Sequence, residues 1–146
     1  MPKAKELMNS QVVSIAPEEG VCEAMRLMAL NHITGLPVVA EDGLLVGMIT
    51  EKDLLGLLYH NLEDPGMDRV GGKVGEYMTR NVVCFDAEDS LEEIVECLSM
   101  RNFRRVPILS RGRLVGIISR RDIIRHLTDL QRQTEVARDN ILELLY

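Results

Sequence analysis

Leu44-Leu45-Val46-Gly47-Met48-Ile49-Thr50-Glu51-Lys52-Asp53 and Arg113-Leu114-Val115-Gly116-Ile117-Ile118-Ser119-Arg120-Arg121-Asp122 are two writings of one phrase. Each is an apolar run with a glycine inside it, then a hydroxyl residue, then an aspartate three positions later. Outward from this phrase the correspondence continues. Met8, Val12, Val13 and Pro37 return as Met78, Val82, Val83 and Pro107 at an offset of 70, which falls to 69 past the turns at Gly43 and Gly112. A self-similar chain is built from copies of one unit that share a core. One copy alone buries too little surface to be stable, so the two are expected to pack together about a pseudo-twofold axis with equivalent clefts between them.

Each copy reads as strand, helix, strand, strand, helix. Gln11–Ile15 and Asn81–Phe85 are short, apolar and β-branched, and read as the first strands. Apolar residues at 21, 24, 25 and 28, and at 91, 94, 95 and 98, mark one face of a following helix. Ser90 with Glu93 has capping-box spacing, and Gly20 with Glu23 occupies the same places in the first copy. Leu36–Val39 with Leu44–Ile49, and Val106–Leu109 with Leu114–Ile118, read as hairpins closed by Gly43 and Gly112. Pro37 and Pro107 are placed where the first strand of each hairpin begins. Thr50 and Ser119 open the second helices.

The domain reading is a first repeat over 1–61, a linker over 62–73 punctuated by Asp64-Pro65-Gly66 and Gly71-Gly72, a second repeat over 74–126, and a helical extension over 127–146. In that extension Leu127, Leu130, Thr134, Ala137, Ile141 and Leu144 recur in steps of three and four. Two readings stay open: the helix runs on and meets a second subunit, or it folds back on its own domain.

No apolar run approaches the ~20 residues of a membrane span, and the N-terminus lacks the apolar stretch of a signal peptide, so a cytoplasmic protein without a membrane partner is expected. Cys22, Cys84 and Cys97 have no metal-ligand spacing and read as buried reduced thiols, and His32, His60 and His126 read as surface or packing residues. No metal and no catalytic cofactor is expected, and no P-loop, GxGxxG or nucleophile–base pair argues for an enzyme. The net charge of −6 argues against bulk nucleic-acid binding. It conceals nine arginines against two acids over residues 99–132. Single-stranded nucleic acid is disfavoured because only 3% of residues are aromatic, leaving few stacking platforms.

The hydroxyl–x–x–Asp phrase has two physical readings. As a helix cap, the hydroxyl and carboxylate satisfy free amides and oppose the helix dipole. As a ligand site, amides and a hydroxyl at a helix start attract phosphate, and an ionised Asp accepts from the hydroxyls of a ribose.

The repeat resembles the cystathionine beta-synthase (CBS) domain, which occurs as tandem pairs called Bateman modules. Four motifs carry the likeness, twice and in order: Met-x-x-x-Val-Val (Met8–Val13, Met78–Val83), Leu/Val-Pro-Val/Ile (Leu36–Val38, Val106–Ile108), Leu-Val-Gly-x-Ile (Leu45–Ile49, Leu114–Ile118) and Thr/Ser-x-x-Asp. The resemblance implies a regulatory α/β module with no catalytic residue, which binds an adenosine-containing effector (AMP, ADP, ATP or S-adenosylmethionine). One implied site holds Thr50 and Asp53 with Val82 and Val83; the other holds Ser119 and Asp122 with Val12 and Val13. Met48 and Ile117 join the adenine contacts, and Thr34, Gly35, Arg104 and Arg105 the phosphate contacts. With Arg120 and Arg121 nearby, the Ser119/Asp122 cleft is expected to be the better phosphate site, whereas Glu51 beside Thr50 either weakens anion binding there or points to solvent. A homodimer and a separate effector protein are the expected partners. The rival reading is a ligand-free interaction module.

Overall fold

The computed structural model describes residues 2–63 and 71–145. Its elements are α1 (Ala4–Leu7), α2 (Val21–Asn31), β1 (Gly35–Val39), β2 (Leu45–Thr50), α3 (Glu51–Glu63), α4 (Val74–Tyr77), β3 (Phe85–Asp86), α5 (Leu91–Met100), β4 (Arg105–Ser110), β5 (Arg113–Ser119) and α6 (Arg120–Leu145). The Asp64-Pro65-Gly66 turn lies outside the described residues. Lys73, read as the linker's last residue, caps α4.

Both hairpins form antiparallel pairs, β1 with β2 and β4 with β5. Their turns explain the change of offset. Arg111 and Gly112 both have positive φ, 54° and 77°, as a two-residue hairpin turn requires. In the first repeat the loop is one residue longer: Gly43 alone has positive φ, 87°, and donates to the Ala40 carbonyl at 2.9 Å. The two tips meet across the molecule, Leu45 N–H donating to Gly112 O at 3.2 Å and Leu114 N–H to Gly43 O at 3.1 Å. Pro37 and Pro107 are the third residues of β1 and β4, not the first, and both are fully buried.

Each half of the molecule is completed by a segment of the other repeat. One core gathers Ile15, Val21, Ala24, Met28, Leu36, Val38, Ile49, Leu54 and Leu57 of the first repeat with Val74, Tyr77 and Met78 of the second. The other gathers Leu91, Ile94, Leu98, Val106, Ile108, Ile118 and Ile123 with Ala4, Leu7 and Met8. Each short helix is followed by an exchange of backbone hydrogen bonds with the opposite hairpin. Thr79 pairs with Met48 at 2.8 and 2.9 Å, and Asn9 with Ile117 at 2.9 and 3.0 Å.

This exchange accounts for a difference from the sequence expectation. Only the last residues of the expected first strands enter ladders. Ile15 bridges Val38, and Phe85–Asp86 pairs with β4 in parallel. Residues 10–14 and 80–84 run from the far hairpin, where Asn9 and Thr79 are paired, to their own. On that crossing they have no neighbouring strand, so they form no sheet.

The glycines of the opening phrase fit this crossing. A Cβ on Gly47 would lie 2.7 Å from Met78 Sδ and 2.8 Å from Thr79 O, and one on Gly116 would collide with Met8 Sδ. Only a residue without a side chain admits the crossing backbone so near the strand.

Smaller expectations change as well. Ser90 caps α5 by accepting from Glu92 N–H at 3.2 Å, without the reciprocal Glu93 bond. The carboxylate half of a box appears instead at α1 and α4, where Glu6 and Glu76 accept from Lys3 and Lys73 N–H at 2.6 and 3.1 Å. The three cysteines form no disulfide, but Cys22 and Cys84 are exposed and Cys97 half-buried, because they fall beside the buried faces of their elements. His32 ends α2 in the left-handed conformation, φ 53°.

Candidate functional site

At the junction of the halves is a cleft of about 400 Å³. Its walls bring together Thr34, Gly35, Met48 and Thr50 of the first repeat with Val82, Val83, Arg104 and Arg105 of the second. Thr79, Asn81, Asn102, Phe103, Glu51, Lys52 and Pro107 complete the lining. Each wall follows from the local fold. Thr34 and Gly35 enter β1, Met48 and Thr50 close β2, Val82 and Val83 lie on a crossing segment, and Arg104 and Arg105 enter β4. A larger hollow of about 440 Å³, around Pro17, Lys73 and Arg80, is more open and is lined by none of the ligand-site residues expected from the sequence.

Thr50 and Asp53 form a reciprocal cap on α3. The Thr50 N–H and hydroxyl both donate to Asp53 Oδ2, at 2.9 and 3.0 Å, and Asp53 N–H donates to Thr50 Oγ1 at 3.4 Å. The Thr79 hydroxyl donates to the other oxygen, Oδ1, at 3.4 Å. Asp53 therefore stands behind Thr50 and is not itself in the cleft lining. In the second repeat, Ser119 N–H donates to Asp122 Oδ2 at 2.8 Å and Asp122 N–H to Ser119 Oγ at 3.2 Å. Asp122 Oδ1 takes no hydrogen bond from a described residue. Both aspartates are half-buried and cap their helices. One oxygen of each is engaged in the cap, and an ionised carboxylate has acceptor capacity beyond that.

The arginines lie differently from the sequence expectation. Arg105 is paired with Ser119 in the β4–β5 register, as Gly35 is with Thr50 in β1–β2. Its backbone thus belongs to the Ser119/Asp122 side. Its guanidinium crosses the pseudo-axis, donating from Nη2 to Thr34 Oγ1 at 3.1 Å and from Nη1 to Gly35 O at 3.4 Å. Gly35 has no side chain to return the gesture, so the cation collects on the Thr50 side. Burial and the neighbouring Arg104 lower the Arg105 pKa, while Asp122 and Glu51 oppose that shift. Arg104 is exposed on the same wall. Arg120 donates from Nη2 to Arg101 O at 2.8 Å, bracing the loop before β4, and Arg121 is exposed on α6.

Ser119, Asp122, Ile117, Val12 and Val13 lie outside this cleft. The Asn9–Ile117 pairing brings the crossing segment that carries Val12 and Val13 past β5, the pseudo-equivalent of Thr79–Met48. Sequence reasoning did not single out Thr79, Asn81, Asn102 and Phe103. Thr79 and Asn81 fall inside the Met-x-x-x-Val-Val motif, and Phe103 is one of only two phenylalanines, set next to the arginine pair. Those were the available signals.

Chemically, the cleft offers apolar surface and backbone at Met48, Val82 and Val83, and sets the cations of Arg104, Arg105 and Lys52 against the single carboxylate of Glu51. A flat apolar ring suits the first and an anion the second.

A family model described as the CBS domain matches residues 4–60 and again 74–129. The chain belongs to the CBS domain family. It carries the domain as a tandem pair. Hypoxic response protein 1 of Mycobacterium tuberculosis is 32% identical over 131 residues, covering 88% of this chain and 87% of that protein. The structure of Arabidopsis thaliana CBSX2 in complex with AMP superposes with a TM-score of 0.77 at 26% identity, over 88% of this CBS pair and 98% of that chain. The CBS domain pair of protein MJ0100, solved with 5-methylthioadenosine and S-adenosyl-L-methionine, gives a TM-score of 0.73 at 26% identity over 88% and 97%.

Among the described residues no helix is long and apolar enough to cross a membrane. No group of three or more His, Cys, Asp or Glu side chains is placed to hold a metal ion there.

Proposed function

We propose that this CBS pair is a regulatory, non-catalytic module that binds a phosphorylated adenosine in the Thr50 cleft and signals to a separate partner protein. The observation that carries this reading is the lining of one cleft by Met48, Val82 and Val83 at one place and Arg104 and Arg105 at another. The adenine ring lies against the crossing segment, Asp53 accepts from the ribose, and the phosphate meets Arg105, Thr34 and the start of α3. The solved complexes of CBSX2 with AMP and of MJ0100 with adenosine derivatives support the ligand class.

The charge on this wall favours AMP, ADP or ATP over S-adenosylmethionine, whose sulfonium carries a positive charge of its own. The Ser119/Asp122 side, with Val12, Val13 and Ile117, is the second and less anion-selective place for the same class. Ligand binding then favours one arrangement of the two repeats over another, and that difference is what a partner in the cytoplasm reads.

A thermal-unfolding series with AMP, ADP, ATP and S-adenosylmethionine tests the proposal. A ligand that binds only the folded chain raises its midpoint with concentration. The expected order places the phosphorylated ligands first. No shift with any of the four would favour a ligand-free interaction module instead.

A further inference from the structure

From Leu127 to Leu144 every residue of α6 is exposed, so the helix runs on from the body and does not fold back on it. Its first turns carry arginines that the Thr50 cleft leaves unused. Arg120, Arg121, Arg125 and Arg132 are all exposed, and none of them forms an ion pair among the described residues. Asp129 follows Arg125 by four residues, a spacing at which side chains meet on a helix, yet the two do not pair.

Local stability argues against this placement. Arg120 and Arg121 stand in the first turn, where the positive end of the helix dipole disfavours cations. In the first repeat the same two positions hold Glu51 and Lys52, one charge of each sign. Arg120 donates to Arg101 O at 2.8 Å, which brings the exposed Arg101 to the same corner. Like charges gathered without counterions repel one another until an anion meets them.

The cluster has an apolar centre. Ile123 is buried in the core and fixes that face of α6, which leaves Ile124 outside, 63% exposed. Ile124 follows Arg120 by four residues and Arg121 by three, so both arginines flank it. Leu127, 52% exposed, lies one turn on, and Thr128 turns its hydroxyl back to Ile124 O at 2.9 Å. Arg125 and Arg132 carry the basic edge along the helix for about 10 Å, and Glu135 and Asp139 then end it.

We propose that this part of α6 docks an acidic segment of the partner protein, its carboxylates meeting the arginines and an apolar side chain covering Ile124 and Leu127. It rests on the regulatory reading above only in requiring a partner. Protein interfaces join an apolar centre to a polar rim and are rich in arginine. Nucleic acid fits less well: its phosphates suit the arginines but offer nothing to Ile124, and the chain has few aromatic side chains on which bases could stack.

Fluorescence polarisation on the full chain tests this, with a labelled synthetic peptide of glutamates and leucines as the probe and a labelled oligothymidylate of equal charge beside it. The parent should bind the peptide more tightly than the oligonucleotide, and added salt should weaken the peptide. The double variant R125E/R132E should lose roughly tenfold or more in peptide affinity, since reversal turns two attractions into repulsions. Ile124→Ser should weaken the peptide and leave the oligonucleotide unchanged. Both variants should keep the parent's unfolding midpoint and its shift with AMP. No peptide binding by the parent, a second copy covering the face included, would overturn the proposal. So would an oligonucleotide that binds as tightly as the peptide, or parental peptide affinity in either variant. The AMP shift is read on the same samples, so failure of the nucleotide reading and failure of this one are told apart.

Discussion

Arg105 Nη2 donates to Thr34 Oγ1 at 3.1 Å, although the two residues lie 71 positions apart and in different repeats. The contact breaks the pseudo-symmetry of the molecule. A repeat with glycine at the matching position cannot answer it, so one cleft gains a cation that its twin lends. The first prediction follows from that loan. Arg105→Ala should weaken AMP by roughly ten- to a hundredfold, the range of a charge-assisted hydrogen bond, and change adenosine far less. Calorimetric titration of both ligands on both proteins checks it. Equal losses for AMP and adenosine would mean that Arg105 acts on the fold and not on phosphate.

Asp53 caps α3 and is assigned to ribose, and two substitutions separate these roles. Asp53→Ala removes the cap and should cost about 0.5–2 kcal/mol of stability. Asp53→Asn keeps an oxygen for the Thr50 N–H, so its unfolding midpoint should stay near the parent's. Its affinity for AMP should still fall, because the neutral oxygen is a weaker acceptor. An Asn variant with parental affinity would reduce Asp53 to a cap.

Gly47→Ala should destabilise the chain by about 1–3 kcal/mol, as overpacking of a filled site does. The new Cβ would press on Thr79 O, a backbone atom held by its pairing with Met48. Gly116→Ala meets Met8 down to its Cβ, 2.9 Å away, an atom that no side-chain rotation moves, and should cost at least as much. Chemical denaturation of the two variants side by side measures the difference.

The N-terminal segment is fastened by Glu88, which accepts from Lys3 and Lys5 Nζ at 2.6 and 2.7 Å. These two hydrogen bonds lower the Glu88 pKa from 4.5 to about 2. A carboxyl depressed in the folded state contributes stability above its unfolded pKa and loses that contribution as pH falls through its folded value. Acid should therefore erode stability between about 4.5 and about 2, and Glu88→Gln should flatten that limb of the profile. The groups are exposed, so the effect is small and fades in salt. Unfolding midpoints across that pH range, at low and high salt, measure it.

Much of this was legible in the sequence, and the reasons are local. Thr50 and Asp53, like Ser119 and Asp122, sit three apart at a strand–helix boundary, and chain geometry alone brings them together. The hairpin glycines and the buried helix faces are likewise decided by near neighbours. What stayed hidden was long-range. Nothing in Gln11–Ile15 says that the segment before it pairs with the far hairpin, so a β-branched stretch was read as a strand. Nor does adjacency in sequence reveal that the Arg105 side chain leaves its own cleft for the other. A side chain of that length reaches across a pseudo-axis, and only the packed halves decide the direction.

Photolabelling with 8-azido-AMP, followed by mapping of the labelled peptide by mass spectrometry, locates the bound adenine itself. A label displaced by unlabelled AMP is expected on the stretch containing Val82 and Val83 or on Met48. No AMP-protected label, or one confined to residues far from the Thr50 cleft, would contradict the proposed site.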